Sequence, residues 1–257
     1  MLIAVVSSIW WRLDPWDLGT RWLSDGAMVS SPESLKLFRR ALWWYALATA
    51  ILAVGLPAAA VRYPGSFDWA YTVISALASR KHNPDGAAWF AGAIAGAMAC
   101  LWPVVTQLTR DGAAPRWVQV GLRTGVVCGV FVGLERLAFY HFSDLVRKGH
   151  ELVALVSFLA FYPAVLGLYA HRVRQRRGFL LAAMVVVVPL LGVGGREFYL
   201  YLAQRGIGWT DYDWHGRGAP LWLSFALWQW LAAVLLWLAV GHLLVTASPQ
   251  PKPKTAL

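Results

Sequence analysis

Apolar residues run along this chain in six long blocks, 41–61, 87–108, 117–140, 151–170, 178–195 and 220–245, separated by short polar connections. Each block is close to the roughly 20 residues that a helix needs to cross the hydrocarbon of a bilayer. The pattern predicts an all-α, polytopic membrane bundle of six transmembrane helices. A start signal precedes the first block: Ser31 as N-cap, Pro32 in the first turn and Glu33 beside the positive end of the helix dipole. Residues 1–9 are apolar but only about half as long as a span, and no basic residue precedes them, so they fit neither a signal peptide nor a crossing. Residues 10–23 mix Trp10, Trp11, Trp16 and Trp22 with Arg12, Asp14, Asp17 and Arg21. They read either as a helix lying flat on the membrane or as an extension before a second start at Met28. The expected organisation is therefore an N-terminal extension over 1–30, a six-span domain over 31–247 and a disordered cytoplasmic tail over 248–257.

Composition supports lipid as the solvent. Hydrophobic residues make up 58% of the chain and charged residues 14%, against about 45–50% and 25% in soluble domains. The 16 Trp residues suit the boundary between bilayer and water, where an amphipathic ring has a place for both its parts. A formal net charge of +10 would raise the question of nucleic acid in a soluble protein, but here the basic residues fall in short runs between apolar blocks and no nucleic-acid motif occurs. They read as topology signals and as contacts to anionic lipid. One set of alternate connections holds Arg110 and Arg116, then Arg172, Arg174, Arg176 and Arg177, then Lys252 and Lys254; with Lys36, Arg39 and Arg40 this set is expected in the cytoplasm, placing both termini inside. Cys100 and Cys128 both lie in apolar blocks and read as buried thiols, not as a disulfide framework.

The other connections, 62–86, 141–150 and 196–219, are expected outside, and the chain's unusual polar residues gather there. Residues 68–78 are too apolar for a free loop and too short for a crossing, which predicts a helix along or dipping into the interface. Glu135 is the leading functional candidate, because a charge inside an apolar span is costly and tends to face a bundle interior or a wet cavity. Arg136 points about 100° away on the same helix, so it is not Glu135's ideal partner. His141 and Asp144 would share a face if the helix continued. Ser75, Arg80, Lys81, His150 and Arg217 complete the candidate ligand-binding set, for a lipid headgroup or another polar ligand. The cluster His141, His150, Asp213 and His215 has the residue types of a zinc site whose bound water attacks a lipid amide or ester, though no tight ligand motif such as H-E-x-x-H is present. Solvated ion pairs and interfacial anchors are the plainer reading of the same residues. His171 and His242, near the inner ends of their spans, read as structural. The Gly192, Gly194, Gly195 cluster reads as a flexible or closely packed helix end, and Gly92 with Gly96 forms a G-x-x-x-G that permits close packing within the bundle or in a dimer.

The stretch Tyr71-Thr72-Val73-Ile74-Ser75-Ala76-Leu77-Ala78, then Asn83-Pro84 and the small-residue second span, resembles an uncharacterised family of bacterial six-helix membrane proteins. That family is itself similar to the Frag/DRAM/Sfk membrane proteins. The resemblance extends to Gly149-His150-Glu151-Leu152-Val153-Ala154 leading into Phe158 and Phe161, and covers about residues 41–168. Ala78 stands where the family pattern usually has Gly, and Glu135-Arg136 where it more often has Phe-Pro. The resemblance implies a fold, an association with lipid handling and a place in a bacterial inner membrane. A second, weaker similarity is to the seven-helix ceramidase and progestin-receptor-like hydrolases, in which three histidines hold zinc beside a Ser and an Asp; Ser75, Asp144, His141, His150 and His215 supply those residue types. The leading expectation is a lipid-related binding protein or accessory subunit. Its partners would be membrane lipids, other membrane subunits or a second copy, without nucleic acid. The rivals are a zinc-dependent lipid hydrolase and a structural subunit of a larger complex.

Overall fold

The computed structural model describes residues 32–110, 114–138, 144–175, 177–204, 206–207 and 220–247. These form α1 (Pro32–Val61), a short α2 (Ile74–Ala78), α3 (Ala87–Leu108), α4 (Arg116–Ala138), α5 (Asp144–Gln175), α6 (Leu180–Gln204) and α7 (Phe225–Val245), with single 3₁₀ turns at Arg177–Phe179 and Leu221–Leu223. No strand occurs among the described residues. Six helices, all but α2, are long and apolar enough to cross a membrane. The 22 residues of α3 extend about 33 Å at 1.5 Å per residue, which matches a hydrocarbon core of about 30 Å. Residues 40–247 form one compact unit, and the packing below lies within it.

Successive helices run antiparallel, so the bundle has two ends. One is marked by Asn83 against Ala59, Glu135 against His150 and Ser224 against Ala70. The other is marked by Tyr45 against Trp237, Tyr169 against His242 and Arg172 against Leu243. They are called here the Glu135 end and the Arg172 end.

The helix α4 packs against α3 and α5, while α6 packs chiefly along α7. The sequence explains α4's place. Gly121, Gly125, Gly129 and Gly133 recur every fourth residue, and four residues advance a helix by 400°, so the stripe drifts about 40° per step. The first two glycines accordingly meet α5: a Cβ on Gly121 would lie 2.8 Å from the Ala160 carbonyl, and one on Gly125 would lie 2.5 Å from Phe161. The last two meet α3, where a Cβ on Gly133 would lie 2.5 Å from the Ala91 carbonyl and 2.8 Å from the Ala95 nitrogen. Van der Waals contact at this range, in the absence of a hydrophobic drive between helices in lipid, is what holds such helices together. The expected G-x-x-x-G at Gly92 and Gly96 does not do this work. Nothing lies within 4 Å of a Cβ on Gly92, and Gly96 makes ordinary contact with Ile51 at 3.6 Å.

Three further expectations are revised. The connection after α1 holds only a five-residue helix, α2, in place of a helix over 68–78; the rest is turns and extended backbone. The fifth block does not end at Gly195, because α6 continues to Gln204. Gly192, Gly194 and Gly195 are therefore helix-interior positions, with Gly194 against the Tyr162 ring and open space beside the other two. The fourth helix begins at Asp144 and not at 151, which places His150 inside it.

Candidate functional site

Glu135 stands three residues before the described end of α4, and His150 lies on the second turn of α5. Both are buried, at 8% and 6% exposure, and His150 Nδ1 lies 2.8 Å from Glu135 Oε2. Arg136 Nε lies 3.3 Å from the same ring nitrogen and 3.7 Å from the same carboxylate oxygen. One ring nitrogen cannot donate to a carboxylate and accept from a guanidinium at once. The shorter contact takes the proton, so His150 donates to Glu135 and the guanidinium supplies a positive charge beside them. The adjacency of Glu135 and Arg136 thus leaves them a long, poorly aligned pair, as helix geometry requires, and the close partner comes from the next helix. This cluster ties α4 to α5 where both emerge at the Glu135 end, and burial with partners is the condition under which a charge persists at such depth.

Of the other expected site residues, Ser75 and Lys81 are exposed and Arg80 is half-buried, all on the connection from α1 to α3. The backbone of Asp144 opens α5; its side chain and residues His141, Asp213, His215 and Arg217 lie outside the described residues. Three of the four expected zinc ligands are therefore not described. Among the described residues, no three His, Cys, Asp or Glu side chains gather as a metal site requires.

What the 62–86 connection does show is a packed cap. Asn83, fully buried, donates to the carbonyls of Ala59 and Leu77 at 3.1 and 3.2 Å and accepts from the Gly86 N–H at 3.1 Å. Ile74 N–H donates to Gln229 at 2.9 Å, Trp230 Nε1 donates to the Thr72 carbonyl at 3.1 Å, and the Ser224 hydroxyl donates to the Ala70 carbonyl. Trp69 meets Trp230 edge-on at 4.8 Å, with Phe67 4.7 Å from Trp69. Non-helical backbone at a membrane face needs its polar groups satisfied by protein, and α1, α3 and α7 supply the partners. Thr72, Ile74 and Asn83, three of the residues on which the resemblance rests, are thus structural in these contacts.

Two features were not expected from the sequence. The first is an apolar groove between α4 and α5 toward the Arg172 end, lined by Arg116, Trp117, Gly121, Ala160, Pro163 and Ala164 among others. Its floor exists because Gly121 brings the two backbones together, and its wall because the Trp117 ring lies across Gly167. Arg116 closes it with a positive charge. Arg123, seven residues on and so on the same helical face, is also exposed. Neither arginine has an ion-pair partner among the described residues. The second is Glu197, inside α6, whose Oε2 is buried without a hydrogen-bond partner.

The Arg172 end is closed differently. The Tyr169 hydroxyl lies 2.8 Å from His242 Nδ1 and 3.1 Å from the Ala239 carbonyl, and the rings of Tyr169, His242 and Phe179 stack on one another at 5.6–5.9 Å. Arg172 donates to the Leu243 carbonyl at the C-terminal end of α7, where the helix dipole favours a cation. His242 is structural in these contacts, as its sequence position suggested. Set beside known proteins, the chain matches no protein-family model, no curated protein and no solved structure.

Proposed function

We propose that this chain is a lipid-binding protein of a bacterial inner membrane, with its Glu135 end outside, that holds an anionic phospholipid in the α4–α5 groove. The observation that carries this reading is the pairing of an apolar floor with Arg116 and Arg123 along one exposed face. An acyl chain would lie on Gly121, Ala160 and Ala164, and its phosphate would meet the guanidinium groups. Arg123 lies about 10 Å along the helix from Arg116, a position from which an exposed arginine reaches back along the helix toward headgroup phosphates. The charge balance supports the orientation. Among the described residues at the connections and adjoining helix ends, the Arg172 end has Arg40, Arg110, Arg116, Arg172, Arg174 and Arg177, against Arg62, Arg80, Lys81, Arg136 and Arg196 at the Glu135 end, a small basic excess that favours the Arg172 end inside.

The test uses phospholipids brominated in their acyl chains, which quench nearby tryptophan. Phosphatidylglycerol is expected to quench Trp117 at lower mole fraction than phosphatidylcholine, with Trp117→Phe removing the difference. Each basic residue near an anionic headgroup contributes about 1 kcal/mol, so Arg116→Gln with Arg123→Gln should weaken the phosphatidylglycerol preference roughly 20-fold or more. Equal quenching by both lipids, or a preference indifferent to both substitutions, would sink the reading.

A further inference from the structure

Glu197 lies about 26 Å along α6 from Leu180, within the stretch long and apolar enough to span a membrane. Leu190, Gly194 and Glu197 recur at helical spacing and share a face. That face looks toward α5, because the Leu190 carbonyl accepts the Tyr162 hydroxyl and a Cβ on Gly194 would meet the Tyr162 ring at 2.5 Å. Glu197 follows one turn later. Its Oε2 is buried, and no group among the described residues donates to it.

Two neighbouring donors among the described residues are committed elsewhere. Tyr162 has one proton, and it goes to Leu190. Arg196, next in sequence, turns away to the Trp222 carbonyl at 3.0 Å and lies over the Tyr199 and Trp222 rings. The helix α7, along which α6 packs, carries no Asp, Glu, Lys or Arg, and its single titratable side chain, His242, sits at the opposite end. An ionised carboxyl with a bare buried oxygen is disfavoured in such surroundings. A proton of its own removes both the charge and the need for an outside donor.

We propose that Glu197 is a proton-binding site inside the membrane domain, a neutral carboxylic acid where Glu135 is an ion-paired carboxylate. The inference is independent of the lipid groove, which lies between other helix faces. Its probe is an apolar carbodiimide. The acid's O–H proton goes to one carbodiimide nitrogen, the carboxyl oxygen bonds to the central carbon, and the resulting O-acylisourea rearranges to a stable N-acylurea. The net step is an addition with no leaving group and no oxidant.

Peptide mapping of the full-length protein, labelled in lipid vesicles, should find the adduct on Glu197 and none on Glu135, whose partners His150 and Arg136 hold it as a carboxylate. Glu197→Gln should abolish that adduct. In infrared difference spectra across a pH step, the carbonyl band of a protonated carboxylic acid should disappear in Glu197→Gln and persist in Glu135→Gln. Absence of an adduct on Glu197, preferential labelling of Glu135, or a carbonyl band that survives Glu197→Gln would each overturn the assignment. So would suppression of labelling by sodium or potassium, which would make the site one for a metal cation. The mapping needs only the native chain, so a variant that fails to fold does not remove the test.

Discussion

The two ends of this bundle solve the same problem with different chemistry. At the Glu135 end, buried polar groups meet partners from other elements: Glu135 with His150, Asn83 with α1 and α2, Gln229 with Ile74. At the Arg172 end, polar side chains meet carbonyls of α7 and one another's rings: Arg172 with the terminal carbonyl of Leu243, and Tyr169 with His242 and Ala239. The first kind of closure buries ionisable groups that depend on partners, and the second leaves cations beside the groups a helix C-terminus already exposes. The lesson is that removing a partner should be far more damaging at the Glu135 end, because what remains is a stranded buried charge or amide.

That contrast can be broken at four points, all read by reversible unfolding in mixed micelles. His150→Ala leaves Glu135 with only the longer contact to Arg136 and should cost about 3 kcal/mol; the double variant with Glu135→Gln should recover part of that loss, since no buried carboxylate is then left without its close partner. Asn83→Ala removes three hydrogen bonds from a fully buried site and should cost about 2–3 kcal/mol. Tyr169→Phe keeps the ring stack while removing one hydroxyl, and should cost about 1 kcal/mol. Lys81→Ala, at an exposed position, should change stability by less than about 0.5 kcal/mol. A Tyr169→Phe loss as large as that of His150→Ala would erase the distinction between the ends.

The six crossings were legible because each apolar block is near the length a bilayer dictates, and no other pattern in the chain competes with that signal. Glu135 was legible for the same reason in reverse, as the charge inside such a block. Its pairing was not. His150 precedes the apolar run that begins after Glu151, so hydropathy assigns it to a connection, whereas α5 starts six residues earlier at Asp144. Polar residues at a helix start are invisible to an argument built on apolarity. Glu197 was missed by the mirror-image error, since Arg196 and Glu197 look like the end of a span while Phe198, Leu200 and Leu202 continue it. The signal that could have found it is the spacing of Leu190, Gly194 and Glu197 on one face. The packing of α4 was similarly present in the four-residue recurrence of Gly121, Gly125, Gly129 and Gly133, a longer small-residue pattern than the pair at Gly92 and Gly96.

Six crossings put the two ends of the bundle on opposite sides of a membrane, which cysteine accessibility in intact cells can read out. With Cys100 and Cys128 replaced by alanine, Lys81→Cys marks the Glu135 end and Arg174→Cys the Arg172 end. A membrane-impermeant maleimide should label Lys81→Cys in intact cells and Arg174→Cys only after the membrane is opened. Labelling of both from the same side would contradict this arrangement of crossings.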